Sequence, residues 1–118
     1  GQAAKEYLLE NRLWEKYQPK YVFGEKVGQT SQFLGTGAAQ VGFTALSIAL
    51  APGMNEEGFW LEIPDSLYRP IEQGILLVKR SKRKQKLLEE AQLFYKFIFS
   101  SEAQDILRSF GYETPYGL

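Results

Sequence analysis

The chain has 118 residues with neither cysteine nor histidine, and its 14 lysine and arginine residues balance its 14 aspartate and glutamate residues. This length predicts one ordinary domain, and the balanced charge gives no global field that would recruit nucleic acid or an anionic membrane. Without histidine or cysteine, the sequence excludes thiol nucleophiles, histidine acid–base catalysis, Ser-His-Asp triads and the usual zinc ligands, so an enzyme is not expected.

The chain opens with a predicted helix and then a predicted strand. Ala4, Tyr7 and Leu8 form one apolar face of the helix. We expect Pro19 to close it, since proline cannot continue a helix. No capping residue precedes this helix, which indicates that the chain is truncated. Residues 21–23 then predict a short buried strand.

A glycine-rich stretch, residues 24–47, follows the strand at residues 21–23 and predicts a turn, a helix and a second strand. The helix is expected from Val27 to Leu34, with Gly35 and Gly37 as its cap, and the second strand at residues 40–45. Such spacing is typical of a parallel βαβ unit. The helix start would direct backbone N–H groups beyond the strand ends, where the helix dipole favours an anion. Many α/β domains bind nothing at such a turn, so the spacing alone leaves both possibilities open.

Two further strands are predicted after a surface turn at residues 54–58. Phe59, Leu61 and Ile63 alternate with Trp60 and Glu62, as in a half-buried strand. Residues 74–78 form a continuous apolar run, which predicts a strand covered on both faces.

The last part of the chain predicts two helices after a basic run at residues 79–86. The run has no interleaved aromatic side chains for stacking bases, so we interpret it as a solvated turn rather than a nucleic-acid patch. Apolar residues then recur at helical spacing, which predicts one buried helix face: Leu87, Leu88, Ala91, Phe94, Tyr95 and Ile98. The final helix is expected to begin with a capping box of Ser101 and Gln104 and to stop at Gly111. No acidic spacing typical of a metal site occurs.

The glycine-rich stretch resembles the periplasmic molybdate-binding proteins of ABC transporters, within the type II periplasmic binding protein family. The resemblance covers nearly the whole chain. The matching residues are Val22-Phe23-Gly24-Glu25-Lys26-Val27, Gln32-Phe33, Gly37-Ala38-Ala39, Gly42-Phe43-Thr44-Ala45-Leu46-Ser47, Trp60, Ile63-Pro64, Tyr68, Pro70-Ile71, Gln73-Gly74, Phe97, Ser100, Ala103, Ile106 and Gly111-Tyr112.

The resemblance implies an α/β fold, namely one incomplete lobe of a periplasmic-binding-protein-like fold with a parallel-dominated sheet flanked by helices. Residues 1–78 would be the part of the second lobe that carries the βαβ anion-binding turn. Residues 79–118 would be C-terminal helices that return to an absent first lobe. A signal peptide would lie upstream of Gly1, and the protein would reside in the periplasm or cell envelope.

The resemblance also implies the function, which is capture of molybdate or tungstate between two lobes that close about a hinge. The dianion would be held by backbone amides and hydroxyl groups, with no cofactor and with the metal bound only as its oxyanion. An ABC permease in the membrane would receive the ligand, and nucleic acid would not be a partner.

Family donors carried over to this sequence are only partly retained. The amide of Val27 matches a backbone donor, whereas a position that is tyrosine in some members is Ala45, which has no side-chain donor. Thr44 and Ser47 lie close by in sequence, and Lys26 departs from an expected small polar residue and adds a charge. The candidate oxyanion-binding residues are Val27, Lys26, Gly28, Ala45, Thr44 and Ser47.

Alternatives remain open from the sequence. The oxyanion could be sulfate or phosphate, or the chain could be an effector-sensing module of a transcription regulator. A helix-turn-helix segment upstream of Gly1 would favour the regulator, and a secretory or lipoprotein signal would exclude it. We also expect a homodimer formed through the apolar faces of the C-terminal helices.

Overall fold

A computed structural model of the protein describes residues 1–54, 58–78 and 85–115. Residues 55–57 of the predicted surface turn and residues 79–84 of the basic run lie outside the described residues. The described α-helices are α1 (Gln2–Glu10), α2 (Trp14–Tyr17), α3 (Val27–Gly35), α4 (Leu46–Ala49), α5 (Gln85–Ile98) and α6 (Ser101–Ser109). The chain divides into two compact units, unit 1 (Gly1–Ile71) and unit 2 (Glu72–Leu118). Among the helices described, none has both the length and the apolar character to cross a membrane.

The predicted opening helix is confirmed as α1, but it ends before the predicted proline. Arg12 has a φ of 55°, in the left-handed region. The Leu13 N–H donates to the Leu8 carbonyl at 2.8 Å, and the Arg12 N–H donates to the Leu9 carbonyl at 3.0 Å. This pair of bonds is a Schellman motif, which satisfies carbonyls at the end of the helix. The chain then resumes as α2, and Pro19 lies in a 3₁₀ turn, Gln18–Lys20.

Tyr21 fastens the end of this turn to α2. Its hydroxyl donates to the Trp14 carbonyl at 2.7 Å and lies 3.3 Å from the Leu13 carbonyl. The rings of Trp14 and Tyr21 are 5.0 Å apart between centroids. Desolvation raises the pKa of the Tyr21 phenol, which keeps it a donor.

The four predicted strands are not found in the described residues, and the α/β class is therefore not confirmed by this structure. Tyr21 and Ala45 have extended backbones, with ψ of 133° and 142°. No described backbone hydrogen bond joins residues 21–23 to residues 40–45. A strand exists only where its backbone pairs with a neighbour, so extended conformation alone does not make one. The prediction was wrong for these segments because it supplied the local conformation without the partner.

The two later predicted strands are likewise absent from the described residues, and their expected burial is not observed. Phe59 and Leu61 are fully or almost fully exposed, and Leu76 is 82% exposed. Alternating or continuous apolar residues identify a strand only where another layer covers them. In both segments most of the apolar side chains stay exposed, so the apolar pattern alone did not make a strand.

Unit 2 contains the two predicted C-terminal helices with one correction. The α6 cap is Ser100 rather than the predicted Ser101, since the Ser100 Oγ accepts the Ala103 N–H at 3.2 Å. Gln104 takes no part in a capping box, because its side-chain amide donates to the Ile98 carbonyl at 2.7 Å. The helix ends at Ser109, and the predicted stop at Gly111 follows two residues later with a φ of 81°, in the left-handed region.

Few of the described residues are buried. Ala49 and Ala103 are the buried apolar residues, and Gln104 is the buried polar one. The predicted buried face of α5 is only partly covered, since Phe94 is 58% exposed and Leu87 is also exposed, whereas Leu88, Ala91, Tyr95 and Ile98 are half-buried. Near it, residues of α5 and the preceding segment line a groove of about 280 Å³: Ile75, Leu76, Leu77, Val78, Ala91, Phe94 and Tyr95.

Candidate functional site

The start of α3 presents two unused backbone donors. The helix begins at Val27, as predicted, after Lys26 in an extended conformation with φ of −136° and ψ of 154°. Within the helix start, the Gln29 N–H is satisfied by the Lys26 carbonyl at 3.0 Å. The N–H groups of Val27 and Gly28 have no acceptor among the described residues. They are the orphan donors that every helix start leaves, and the helix dipole adds partial positive charge there.

The approach to this helix is fixed by the Gln29 side chain. Its Oε1 accepts the Glu25 N–H at 2.8 Å. In a capping box, the third helical residue reaches back to the cap N–H, and here it reaches one residue further. The backbone at Gly24 also passes close to α3, because a Cβ there would lie 2.8 Å from the Thr30 Oγ1 and 3.1 Å from the Thr30 nitrogen. The donors of Val27 and Gly28 are therefore held on a constrained turn.

Two contacts bring residues 42–44 against α3. The hydroxyl oxygens of Ser31 and Thr44 are 2.8 Å apart and share a hydrogen bond. At Gly42, a Cβ would lie 3.1 Å from a methyl carbon of Leu34, so the missing side chain allows this close approach. The segment that leads into α4 is thus packed along α3.

The start of α4 presents fewer groups that could bind an anion than the start of α3. Ala45 is its N-cap residue, with an extended backbone and a methyl side chain that cannot cap. The Ala45 carbonyl accepts the N–H groups of Ile48 at 3.0 Å and Ala49 at 3.2 Å. Ser47, in the first turn of α4, is engaged in an interaction of its own. Ala45 therefore supplies no side-chain donor, as its identity predicts.

The predicted site residues fall into two groups. Val27, Gly28 and Lys26 lie together at the start of α3, and Thr44 is brought to the same helix by Ser31. No described contact joins Ala45 or Ser47 to the Val27 amide, so their place in the site stays a prediction. Sequence reasoning did not single out Ser31 or Gln29. Both follow from spacing, since Ser31 is one helical turn after Val27 and Gln29 is three residues after the cap.

The chemistry of the α3 start suits an anion better than a cation. Its free groups are N–H donors, and the exposed Lys26 adds positive charge beside them. No cluster of three metal-ligating side chains occurs within residues 1–54, 58–78 and 85–115. Free N–H groups at a helix start are the kind of donors that small anions use.

The chain belongs to the bacterial extracellular solute-binding protein family, whose sequence profile matches residues 1–113. That membership confirms the predicted family, and it confirms that the chain belongs among binding proteins rather than enzymes.

Three curated relatives match almost the whole chain. It is 33% identical to the molybdate-binding protein ModA of Rhodobacter capsulatus over 114 residues, 97% of this chain and 42% of that protein. It is 30% identical to the molybdate-binding protein ModA of Azotobacter vinelandii, over 95% of this chain and 43% of the relative. A third relative, 28% identical over 95% of this chain and 41% of its own length, is described provisionally as an ABC transporter substrate-binding lipoprotein, YvgL, of Bacillus subtilis (strain 168). The chain thus spans about two fifths of these relatives' lengths. No solved structure matches it significantly.

Proposed function

We propose that this chain is part of the oxyanion-binding subunit of an ABC importer, with molybdate or tungstate as the ligand. The observation that carries the proposal is the pair of unused N–H donors at Val27 and Gly28 on a constrained helix start. Two of the relatives are named as molybdate-binding proteins, which supports molybdate as the ligand. Tungstate has the same tetrahedral shape and charge, so the same donors suit it.

In this proposal, neutral donors hold the dianion. Amides at a helix start are fixed in direction, so they lose little freedom when the ligand arrives. The oxyanion-binding residues are Val27, Lys26, Gly28, Ala45, Thr44 and Ser47, with Ala45 contributing backbone only. Selection against the smaller sulfate would come from the size of the cavity, since both ions are dianions. Further donors would come from a first lobe that closes over the ligand.

The wider setting follows from the same proposal. Residues 1–78 carry the anion-binding turn of the second lobe, and residues 79–118 supply helices that return to the first lobe. An ABC permease in the membrane receives the ligand from the closed protein. The family description and the lipoprotein relative support a periplasmic or cell-envelope location.

The direct test is calorimetric titration of the protein, as its gene encodes it, with four sodium salts. Molybdate and tungstate are expected to bind with clear heat and one-to-one stoichiometry, whereas sulfate and phosphate are not. Binding of sulfate or phosphate in preference would reassign the oxyanion. No binding of any of the four salts by folded protein would overturn the proposed function.

Unit 2 also supports a homodimer of this chain. Phe94 and Phe97 of α5 and Ile106 of α6 are each at least 41% exposed. Apolar faces of this kind favour association, and exchange of the C-terminal helices between two copies would cover them. Light scattering of residues 1–118 over a range of concentrations is expected to show twice the monomer mass, and a folded monomer at high concentration would contradict the dimer.

A further inference from the structure

The free N–H of Gly28 belongs to a peptide group whose carbonyl is already bonded. The Ser31 hydroxyl donates to the Val27 carbonyl oxygen at 3.2 Å. That carbonyl and the Gly28 N–H lie on one rigid trans peptide plane and point in opposite directions. Holding the carbonyl therefore fixes the direction of the N–H. Hydrogen bonds in a chain also polarise one another, so a bonded carbonyl makes its amide a stronger donor.

Counting protons gives the direction of the bond between Ser31 and Thr44. A hydroxyl has one hydrogen, and that of Ser31 goes to the Val27 carbonyl, which can only accept. The 2.8 Å contact between the two hydroxyls must then use the hydrogen of Thr44. The result is a relay in one direction, from the Thr44 hydroxyl to the Ser31 hydroxyl to the Val27 carbonyl.

We propose that Thr44 and Ser31 are positioning residues for oxyanion binding, acting through the peptide group between Val27 and Gly28. This inference rests on the proposed function. The relay orients and strengthens the Gly28 N–H as a ligand donor, and it ties that donor to the segment that leads into α4. Of the candidate oxyanion-binding residues, Thr44 would therefore act through Ser31 rather than as a direct donor to the ligand, because its only hydrogen is committed to Ser31. Thr44 thus influences the oxyanion from a distance.

A double-mutant cycle on the affinity for molybdate tests the relay. Thr44→Val keeps the side-chain shape and removes the first hydroxyl of the relay. Ser31→Ala removes the second hydroxyl, and alanine is well tolerated within a helix. Polarisation strengthens a bond in such a chain by roughly a tenth to a third, so each variant should bind molybdate about 1.3- to fivefold more weakly. Because the residues act in series, the double variant should lose no more than either single one. Thr44→Ser, which keeps the hydroxyl, should restore the wild-type affinity.

A spectroscopic readout in the ligand-free protein separates the relay from general stabilisation. The Gly28 amide proton resonance should move upfield in Thr44→Val and in Ser31→Ala, and return in Thr44→Ser. The Gly37 amide, at the far end of α3, serves as the control and should not move. Thermal unfolding shows whether each variant is folded. If Thr44→Val is not folded, Ser31→Ala is used for the test instead.

The outcomes distinguish this proposal from the proposed function. Wild-type protein that binds no oxyanion overturns both. Wild-type protein that binds molybdate, with folded variants whose affinities are unchanged or whose losses multiply in the double variant, overturns the relay alone. Multiplying losses would place the Thr44 hydroxyl directly on the ligand.

Discussion

The carboxylate of Glu6 accepts the backbone N–H of Arg69 at 3.0 Å, although the two residues are 63 positions apart. The contact links α1 to the residues just after the 3₁₀ turn Asp65–Leu67. The guanidinium of Arg69 is 3.7 Å from the same carboxylate, but its side chain is 84% exposed, so this ion pair contributes little. The backbone bond is the stronger connection. Gln2 adds a side-chain bond to Glu6 at 3.2 Å.

The stability of the protein is expected to fall in acid through Glu6. The backbone N–H of Arg69, followed by the Gln2 side chain and the Arg69 charge, lowers the pKa of the Glu6 carboxyl from its ordinary 4.5. A group whose pKa is lower in the folded state stabilises that state above its unfolded pKa, and the contribution is lost as the pH falls through the folded value. The free energy of unfolding should therefore decline below about pH 4.5.

Urea unfolding at a series of pH values measures this effect. Glu6→Gln should give a lower stability at neutral pH and a smaller decline in acid than the wild type. Glu10→Gln is the matched control, because Glu10 is an exposed carboxylate of the same helix with no described hydrogen bond. An acid decline in Glu6→Gln equal to that of the wild type would assign the effect to other carboxylates.

Arg12→Gly is expected to stabilise the protein by about 1 kcal/mol, because a residue with a side chain pays about that much in the left-handed region. Arg12 has a φ of 55° at the end of α1, and its N–H bond to Leu9 is kept by glycine. Asn11→Gly is the control. Asn11 has a φ of −90°, and its side chain donates to the Tyr7 carbonyl at 2.8 Å, so glycine there should destabilise. Denaturation midpoints that rank the two variants the other way would contradict the prediction.

Gly24→Ala is expected to cost roughly 1–3 kcal/mol of stability, since overpacking of this size forces backbone shifts. The new methyl group would meet the Thr30 side chain and backbone at 2.8 and 3.1 Å. The matched control is Gly28→Ala, where the added carbon meets nothing within 4 Å and the residue lies in a helix. That change should be neutral or stabilising by up to about 1 kcal/mol. Differential scanning calorimetry measures both, and equal melting temperatures would show that Gly24 has room.

Helices α1, α3, α5 and α6 were predictable because their signals are local, whereas α4 and the separation of α2 from α1 were not predicted. The start of α3 at Val27 and the stop of α6 near Gly111 follow from turn chemistry within a few residues. The strands were not, since a ladder needs a partner elsewhere in the chain and extended backbone at Tyr21 or Ala45 does not supply one. The predicted burial of Phe94 was wrong for the same reason, because periodicity identifies the apolar face of a helix but not the element that covers it.

The candidate site was predictable in part. The amide donors of Val27 and Gly28 follow from the position of the helix start, which the turn at Gly24 indicates. The bond between Ser31 and Thr44 joins residues 13 positions apart, so spacing on one helix could not reveal it. The N-cap of α6 shows a smaller limit of prediction from sequence. Adjacent serines at 100 and 101 are equivalent by composition, and only the backbone geometry selects Ser100.

Substitution of Val27 by proline is the sharpest test of the site in the full protein. Proline deletes the N–H, and the structure accommodates it: Val27 is the first helical residue, its N–H has no described acceptor, and Lys26 already has the extended backbone that a residue before proline requires. A hydrogen bond to a charged group contributes about 1.5–3 kcal/mol, so Val27→Pro should weaken molybdate binding by roughly ten- to a hundredfold or more. Val27→Ala keeps the N–H and should bind within about twofold of the wild type.

Circular dichroism first establishes that both Val27 variants are folded, and titration calorimetry then compares their affinities. Unchanged affinity in folded Val27→Pro would remove this amide from the site. A large loss in Val27→Ala would instead assign the role to the isopropyl side chain, which is 48% exposed at the start of α3. Because one variant removes only the side-chain bulk and the other also removes the donor, the pair separates backbone recognition from packing.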